Sequence, residues 1–213
     1  MDISFIPIIG ALILSIVIHE VAHGYMANWL GDPTARLAGR LTLNPVSHID
    51  PIGSVIIPGF LYLTSAGILF GWAKPVPYNP YNLKNQRWGE LLVAAAGPGV
   101  NLIIALVFAL IVRAAAAGGV TSSFVEIASY IVYINLLLAF FNLIPIPPLD
   151  GSKILAGLLP VSGERKYREL CAQIERYGLF ATFAFIFLFM YLLAKPFHAF
   201  IEQVFTLLVG FKL

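Results

Sequence analysis

Long uncharged apolar runs are the feature that most constrains the fold of this chain of 213 residues. Hydrophobic residues make up 59% of the sequence and charged residues only 11%, and the mean hydropathy is +0.86. A soluble domain carries about 25% charged residues, whereas a membrane-spanning helix needs roughly 20 apolar residues. The sequence therefore predicts an integral membrane protein with five apolar runs: Ile3–Ile18, Pro51–Ala73, Leu91–Val112, Ile127–Leu149 and Tyr177–Ala194.

The charged segments between these runs are too short to form a separate soluble domain, so we expect one membrane-embedded domain over residues 1–213. The net charge of +2 gives no indication of a nucleic-acid partner. The tail Pro196–Phe211 carries Glu202 and is short, which favours an interfacial or half-inserted segment. The segment Arg40–Leu43 alternates polar and apolar residues, which predicts a short strand or hairpin; an ordinary interfacial turn is the alternative.

Two histidines and a glutamate follow the first apolar run, where the sequence reads HEVAH. His19 and His23 are four residues apart, so a helix places them on one face, where they can bind one ion. Glu20 completes the H-E-x-x-H pattern, in which the glutamate is the general base of a zinc enzyme. The alternative is a pair of helix-end histidines bonded to carbonyls or lipid headgroups, which leaves Glu20 unexplained. Counting about 1.5 Å per residue from Ile3 places the histidines about 24 and 30 Å along the helix, where water can reach them.

A catalytic zinc site needs a third protein ligand, and Asp150 is the leading candidate. It ends an uncharged run in the sequence NLIPIPPLDG, whose three prolines take the chain out of helical geometry. Irregular backbone at membrane depth is tolerated where protein or a water cavity covers it. Alternatively, Asp150 caps a helix over residues 151–159.

Three motifs together resemble the site-2 protease family of intramembrane zinc metalloproteases. They are HEVAH in the first run, GPGVN at residues 97–101, and the spacing Asn142-x-x-Pro145-x-x-x-Leu149-Asp150-Gly151. The resemblance covers residues 3 to about 160 and is closest to the short bacterial or archaeal type, without PDZ or CBS modules. It implies one Zn²⁺ per chain with ligands His19, His23 and Asp150, Glu20 as catalytic base, and Asn142 as a substrate or oxyanion contact.

The resemblance implies an intramembrane endopeptidase whose partners are transmembrane segments of other proteins and the lipid bilayer. A helical substrate would have to be unwound, and the edge of a strand at Arg40–Leu43 could hold it extended. Two other classes of function remain open at this stage. A membrane metal transporter predicts several acidic or histidine residues along a pathway, and a non-catalytic membrane scaffold would tolerate loss of Glu20.

The ligands set the topology, because His19, His23 and Asp150 must meet at one depth. If the first four runs all span, the ends of the first and fourth lie on opposite faces. We therefore expect Pro51–Ala73 to be re-entrant, as a hairpin or broken helix. The predicted fold is an all-α polytopic membrane protein with a three-helix catalytic core, this re-entrant segment, the short strand or hairpin, and one or two C-terminal helices at about 177–211. The positive-inside rule then predicts a cell-membrane protein with an outside N-terminus and a site facing the cytoplasm.

Four further residues carry weaker predictions. Asn135 shares a helix face with Asn142 and is predicted to link helices. His48 is either a proton carrier near the metal or a histidine of an interfacial loop. Gly97 and Gly99 flank Pro98 and predict close helix approach.

Overall fold

The computed structural model describes residues 5–63, 71–119 and 123–213. The protein is 78% helical, and no strand forms within these ranges. In chain order the α-helices are α1 (Phe5–Trp29), α2 (Thr34–Leu37), α3 (Ile57–Leu63), α4 (Gln86–Ala117), α5 (Ser123–Asn142), α6 (Asp150–Leu158), α7 (Val161–Glu175), α8 (Leu179–Leu188) and α9 (Ala194–Val209). Short 3₁₀ helices lie at Pro45–His48 and Pro80–Asn82, and π-helical segments at Pro51–Ile56 and Phe189–Leu193.

Within the described ranges, four helical segments are long and apolar enough to cross a membrane. They correspond to the first, third, fourth and fifth apolar runs, which confirms the prediction of an all-α polytopic membrane protein. The described residues of the second run form no such helix. The four segments are Ile6–Trp29, Arg87–Ala117, Ser123–Asn142 and Leu179–Val209.

Helices α1 and α5 run parallel to each other, and both are antiparallel to α4. Near the middle of α1, the Ser15 carbonyl accepts a hydrogen bond from Asn101 Nδ2 at 3.5 Å. Just beyond the end of α1, Leu30 O accepts from Lys84 N at 3.1 Å, immediately before α4 begins. Helix α5 begins six residues after α4 ends, and Asn101 contacts Asn135 between them. The C-terminal ends of α1 and α5 therefore lie at the same end of the bundle.

The two ends of the segment 51–73 contact each other. Gly53 O accepts a hydrogen bond from Trp72 N at 3.1 Å, and Ser54 Oγ donates to Trp72 O at 2.8 Å. The Trp72 indole packs directly against Gly53, where a Cβ atom would lie only 2.3 Å from the ring. The first limb is a broken helix that changes from π to α geometry at Ile57. This limb matches the predicted broken helix; residues 64–70 of the segment lie outside the described residues, and its re-entry into the membrane stays a prediction.

The predicted strand or hairpin at Arg40–Leu43 is wrong, and this segment is an irregular connection. Its polar groups bond to a neighbouring loop instead of to a ladder. Arg40 Nη2 donates to Lys74 O at 2.9 Å, and His48 Nε2 hydrogen-bonds Thr42 O at 2.9 Å. Leu41 packs against Gly24 but Leu43 is 57% exposed, so the alternation does not mark a buried face, and strand addition by this edge loses its basis.

The C-terminal tail is part of a longer helical segment, Leu179–Val209. It forms α9, which continues α8 through the π-helical segment Phe189–Leu193. Pro196 falls in the first turn of α9, where a missing N–H is tolerated. Ile201, Phe205 and Val209 recur every four residues and are buried in one hydrophobic cluster with α4 and α5. Burial of this stripe accounts for the ordered tail despite Glu202 at its exposed face.

Candidate metal centre

Three side chains with metal-binding atoms converge inside the bundle. His19 Nε2 and His23 Nε2 lie 3.2 Å and 3.3 Å from Asp150 Oδ2, and the candidate ligand atoms of all three residues lie within 4.8 Å of one another. One turn of α1 separates the two histidines, and the proline-rich connection after α5 carries Asp150 to them. Ligand atoms about 2.0–2.1 Å from a tetrahedral zinc ion are about 3.3 Å apart, so the two distances to Asp150 Oδ2 suit zinc.

The second nitrogen of each imidazole has its own acceptor. His19 Nδ1 lies 2.5 Å from Asn101 Oδ1, and His23 Nδ1 lies 2.6 Å from Val93 O. Metal-binding histidines usually donate their other N–H to a carbonyl or carboxylate, which fixes the tautomer. With the protons on Nδ1, both Nε2 lone pairs face the Asp150 carboxylate. Three electron-pair donors aimed at one point fit a cation.

Gly97 on α4 leaves the space in which the histidines meet. A Cβ atom at this position would lie 2.4 Å from His23 Nε2 and 2.6 Å from His19 Nε2. The predicted close helix approach is thus confirmed at Gly97. It is wrong at Gly99, where a Cβ atom would meet nothing within 4 Å.

Asp150 does not act as the cap of α6. The capping position is Leu149, and its side chain makes no capping hydrogen bond, whereas Asp150 is the first helical residue and turns its carboxylate to the histidines. The same carboxylate oxygen lies within 3.3 Å of both Nε2 atoms, where a cation would satisfy all three groups at once.

A substitution at Asp150 separates a metal ligand from a structural carboxylate. We expect Asp150→Ala to weaken zinc binding by more than the roughly 10–100-fold that loss of a supporting residue costs, because a ligand itself is removed. Zinc affinity of the purified protein is measured by competition with a chelator. Asp50→Ala is the matched control, since Asp50 Oδ1 does cap a helix by accepting from Ile52 N and Gly53 N. It should lower stability by about 1 kcal/mol and leave zinc affinity unchanged. Full zinc occupancy in folded Asp150→Ala would contradict the ligand role.

Glu20 lies next to the ligands on α1, and a neighbouring loop holds its carboxylate. Glu20 Oε2 accepts a hydrogen bond from Val76 N at 3.0 Å. Leu41 and Val76 also pack against Gly24, where a Cβ atom would lie 2.6 Å and 2.8 Å from their side chains. The connections on either side of the hairpin thus cover this part of α1, and a single backbone N–H orients the predicted base.

Two other predicted residues lie outside the metal-binding group. Asn142 is the last residue of α5 and donates from Nδ2 to Leu138 O at 2.9 Å, so its substrate or oxyanion contact stays a prediction. His48 is buried in a 3₁₀ helix, where it contacts Thr42 O and accepts from Lys74 N through its own carbonyl. It therefore joins loops, in line with the loop-histidine interpretation.

Sequence reasoning missed the groups that orient the histidines. Asn101 was part of the GPGVN motif but had no predicted role, and Val93 contributes only a backbone carbonyl, which leaves no signal in the side chain. Asn135 was predicted to link helices, and this is confirmed by its bonds to Asn101 on α4 and Ser15 on α1. The available signal was one asparagine inside each of two apolar runs, Asn101 in the third run and Asn135 in the fourth.

The fold is that of a polytopic membrane protein, and inside it two histidines and one aspartate that could hold a metal ion lie near a glutamate, the residue types found in metal-dependent hydrolases. The chain belongs to peptidase family M50, the site-2 protease family, whose model matches residues 7–125 and 112–189. This confirms the resemblance drawn from the motifs. The protein is a zinc metalloprotease, and the transporter and scaffold alternatives are set aside.

Named relatives from bacteria and an archaeon carry the same description. The chain is 40% identical over 192 residues to "Putative zinc metalloprotease YwhC" of Bacillus subtilis (strain 168), which covers 87% of this chain and 82% of the relative. It is 31% identical over 155 residues to "Putative zinc metalloprotease Rip2" of Mycolicibacterium smegmatis, covering 69% and 55%. It is 27% identical over 173 residues to "Zinc metalloprotease MJ0392" of Methanocaldococcus jannaschii, covering 78% and 38%. No solved structure matches the chain.

Proposed function

We propose that this metalloprotease cleaves peptide bonds within or near transmembrane segments of membrane proteins, with one zinc ion per chain bound by His19, His23 and Asp150. The observation that carries the proposal is the position of these three side chains. They lie within a bundle whose α1, α4 and α5 are apolar spans, and the lipid-facing sides of these helices are exposed hydrophobic residues. A transmembrane peptide in the same bilayer would meet this site by lateral diffusion.

The chemistry follows from the residues around the site. Zinc, when bound, lowers the pKa of a coordinated water towards about 7 and polarises the scissile carbonyl. Glu20 takes a proton from the attacking water on its carboxylate and delivers it to the leaving amine. The Val76 N–H holds one oxygen of that carboxylate, which leaves the other for the proton. Asn142 is proposed to contact the substrate or the developing oxyanion, an interaction worth about 3 kcal/mol.

Cleavage assays in the presence and absence of a chelator test the proposed substrate class. The purified protein is incubated in detergent or vesicles with a panel of single-span membrane proteins and, in parallel, with an unfolded soluble protein. We expect cleavage of at least one single-span substrate within or beside its apolar segment, abolished by chelator and restored by added Zn²⁺. Cleavage of the soluble protein alone would refute the proposal for substrates while leaving the zinc protease intact.

The charges of the bundle support a site that faces the cytoplasm of a cell membrane. Contacts place one set of basic residues at the end where α1 finishes and α4 begins. Arg40 reaches Lys74 O, Arg87 reaches Gly157 O, and Arg168 pairs with Glu90 at 2.7 Å. Arg113 lies near the other end of α4, bonded to carbonyls of α9. The positive-inside rule makes the first, more basic end cytoplasmic.

Thiol labelling of intact cells tests this topology. In a Cys171→Ser background, single cysteines at Asn44 and Asn85, one on each side of the hairpin, should both resist an impermeant thiol reagent applied from outside. A cysteine at Ala116, in the last turn of α4, is the matched control and should be labelled. All three positions are exposed on the protein surface. Labelling at Asn85 but not at Asn44 would show that the hairpin segment crosses the membrane.

A further inference from the structure

A chain of hydrogen bonds between buried side chains ends on His19. Asn135 Nδ2 donates to Ile131 O at 2.9 Å and to Ser15 Oγ at 2.9 Å. Asn135 Oδ1 accepts from Asn101 Nδ2 at 2.7 Å, and Asn101 Oδ1 faces His19 Nδ1 at 2.5 Å. Both asparagines are 0% exposed. Unpaired amide groups are costly in such surroundings, so every link of the chain has a strong preference for one orientation.

The direction of the whole chain is set by a group that cannot be reversed. The Ile131 carbonyl is a hydrogen-bond acceptor and never a donor, so Asn135 must turn its NH₂ group towards it. The oxygen of Asn135 then faces Asn101 as an acceptor, so Asn101 must donate to it from its own NH₂ group. The oxygen of Asn101 is thereby left facing His19, and an oxygen acceptor there requires the proton on Nδ1.

We propose that Asn101 and Asn135 are positioning residues that fix His19 in the Nδ1–H tautomer, with its Nε2 lone pair directed at the metal position. The inference rests on the zinc site of the proposed function. A reversed Asn101 amide would present N–H to His19 Nδ1, move the imidazole proton to Nε2 and block metal binding. His23 needs no such device, because its acceptor is the Val93 carbonyl, which cannot turn around.

The proposal assigns different effects to similar substitutions. Asn101→Leu removes the acceptor of His19 and should weaken zinc binding by about 10–100-fold, the usual cost of losing such a partner. Asn101→Asp keeps an oxygen facing Nδ1 and should retain more zinc affinity than Asn101→Leu, although its second oxygen meets Asn135 Oδ1 and should lower stability. Asn135→Leu removes only the group that orients Asn101 and should give an intermediate loss. Ser129→Ala is the control, since Ser129 is buried in α5 but bonds only Val125 O of its own helix.

Zinc dissociation constants of the full chain are measured by chelator competition, with thermal unfolding of the zinc-free proteins recorded in parallel. A higher zinc affinity of Asn101→Asp than of Asn101→Leu supports the proposal. A role of Asn101 in stability alone would not favour the variant that keeps an oxygen facing His19 Nδ1. Zinc affinity within twofold of the unmodified protein in folded Asn101→Leu would overturn it. So would equal losses for Asn101→Asp and Asn101→Leu.

Nitrogen NMR decides the question without any substitution at Asn101 or Asn135. Because Asp150 Oδ2 lies 3.2 Å from His19 Nε2 and is a second acceptor, the zinc-free Asp150→Ala chain is used. It is labelled with ¹⁵N-histidine at a pH of about 8.5, above the ordinary imidazole pKa, and the His19 signals are assigned by their loss in a His19→Gln variant. We expect the Nδ1–H tautomer; a proton on Nε2 would overturn the proposal. Failure of the unmodified chain to bind Zn²⁺ would refute the zinc site. The tautomer measurement would still test whether Asn101 and Asn135 set the position of the proton on His19.

Discussion

Glu20→Gln is expected to abolish proteolysis while zinc remains bound. Glutamine cannot accept a proton from the attacking water, and loss of a general base costs about 10²–10⁴-fold in rate. The three predicted ligands are untouched, so zinc content should stay at that of the unmodified protein. The amide oxygen of glutamine can still accept the hydrogen bond from Val76 N that Glu20 receives, so the loop over α1 should keep its place. Cleavage rate and zinc content are measured on the same preparation.

Glu126→Gln provides the matched control for this loss of charge. Glu126 is exposed in the first turn of α5, and the same substitution there should change neither activity nor zinc content. Normal turnover by Glu20→Gln would show that another group is the base. Loss of zinc together with activity would instead assign Glu20 to the metal-binding group.

The histidine pair of the site could be predicted because it depends only on local spacing in the sequence. His19 and His23 share a helix face because they are four residues apart, whatever the rest of the chain does. Asp150 lies 131 positions from His19 in the sequence, yet it could be proposed as a ligand because acids near apolar runs are few and because it falls in the family motif. The hairpin at 51–73 was predicted by a counting argument, since ligands on different helices must reach one depth.

The partners of the ligands could not be predicted, because they depend on the register between helices. Val93 O, Gly97 and Asn101 reach the histidines only because α4 runs antiparallel to α1 at one particular offset, and a shift by one residue would replace all three. No pattern within α1 or α4 alone sets that offset. The wrong strand at Arg40–Leu43 has a related cause, since alternating polarity over four residues does not show whether a partner strand exists.

The same register places Gly97 of α4 directly against the two histidines, where there is no room for a larger residue. Gly97→Ala is expected to eliminate zinc binding and activity, because the added methyl group would stand 2.4 Å from His23 Nε2 and 2.6 Å from His19 Nε2. Both atoms are the proposed metal-binding nitrogens, so a shift of the imidazoles moves them away from Asp150. Alanine is a better helix former than glycine by about 1 kcal/mol, so α4 itself should not be weakened.

Gly99→Ala, two residues further along the same helix, isolates the effect of that methyl group. Its Cβ atom would meet nothing within 4 Å, so zinc affinity and cleavage should match those of the unmodified protein. Chelator competition and the cleavage assay are applied to both variants after circular dichroism has shown that each is helical. A folded Gly97→Ala protein with unchanged zinc affinity would mean that α1 and α4 do not approach at this register, and the assignment of the metal position between them would fail.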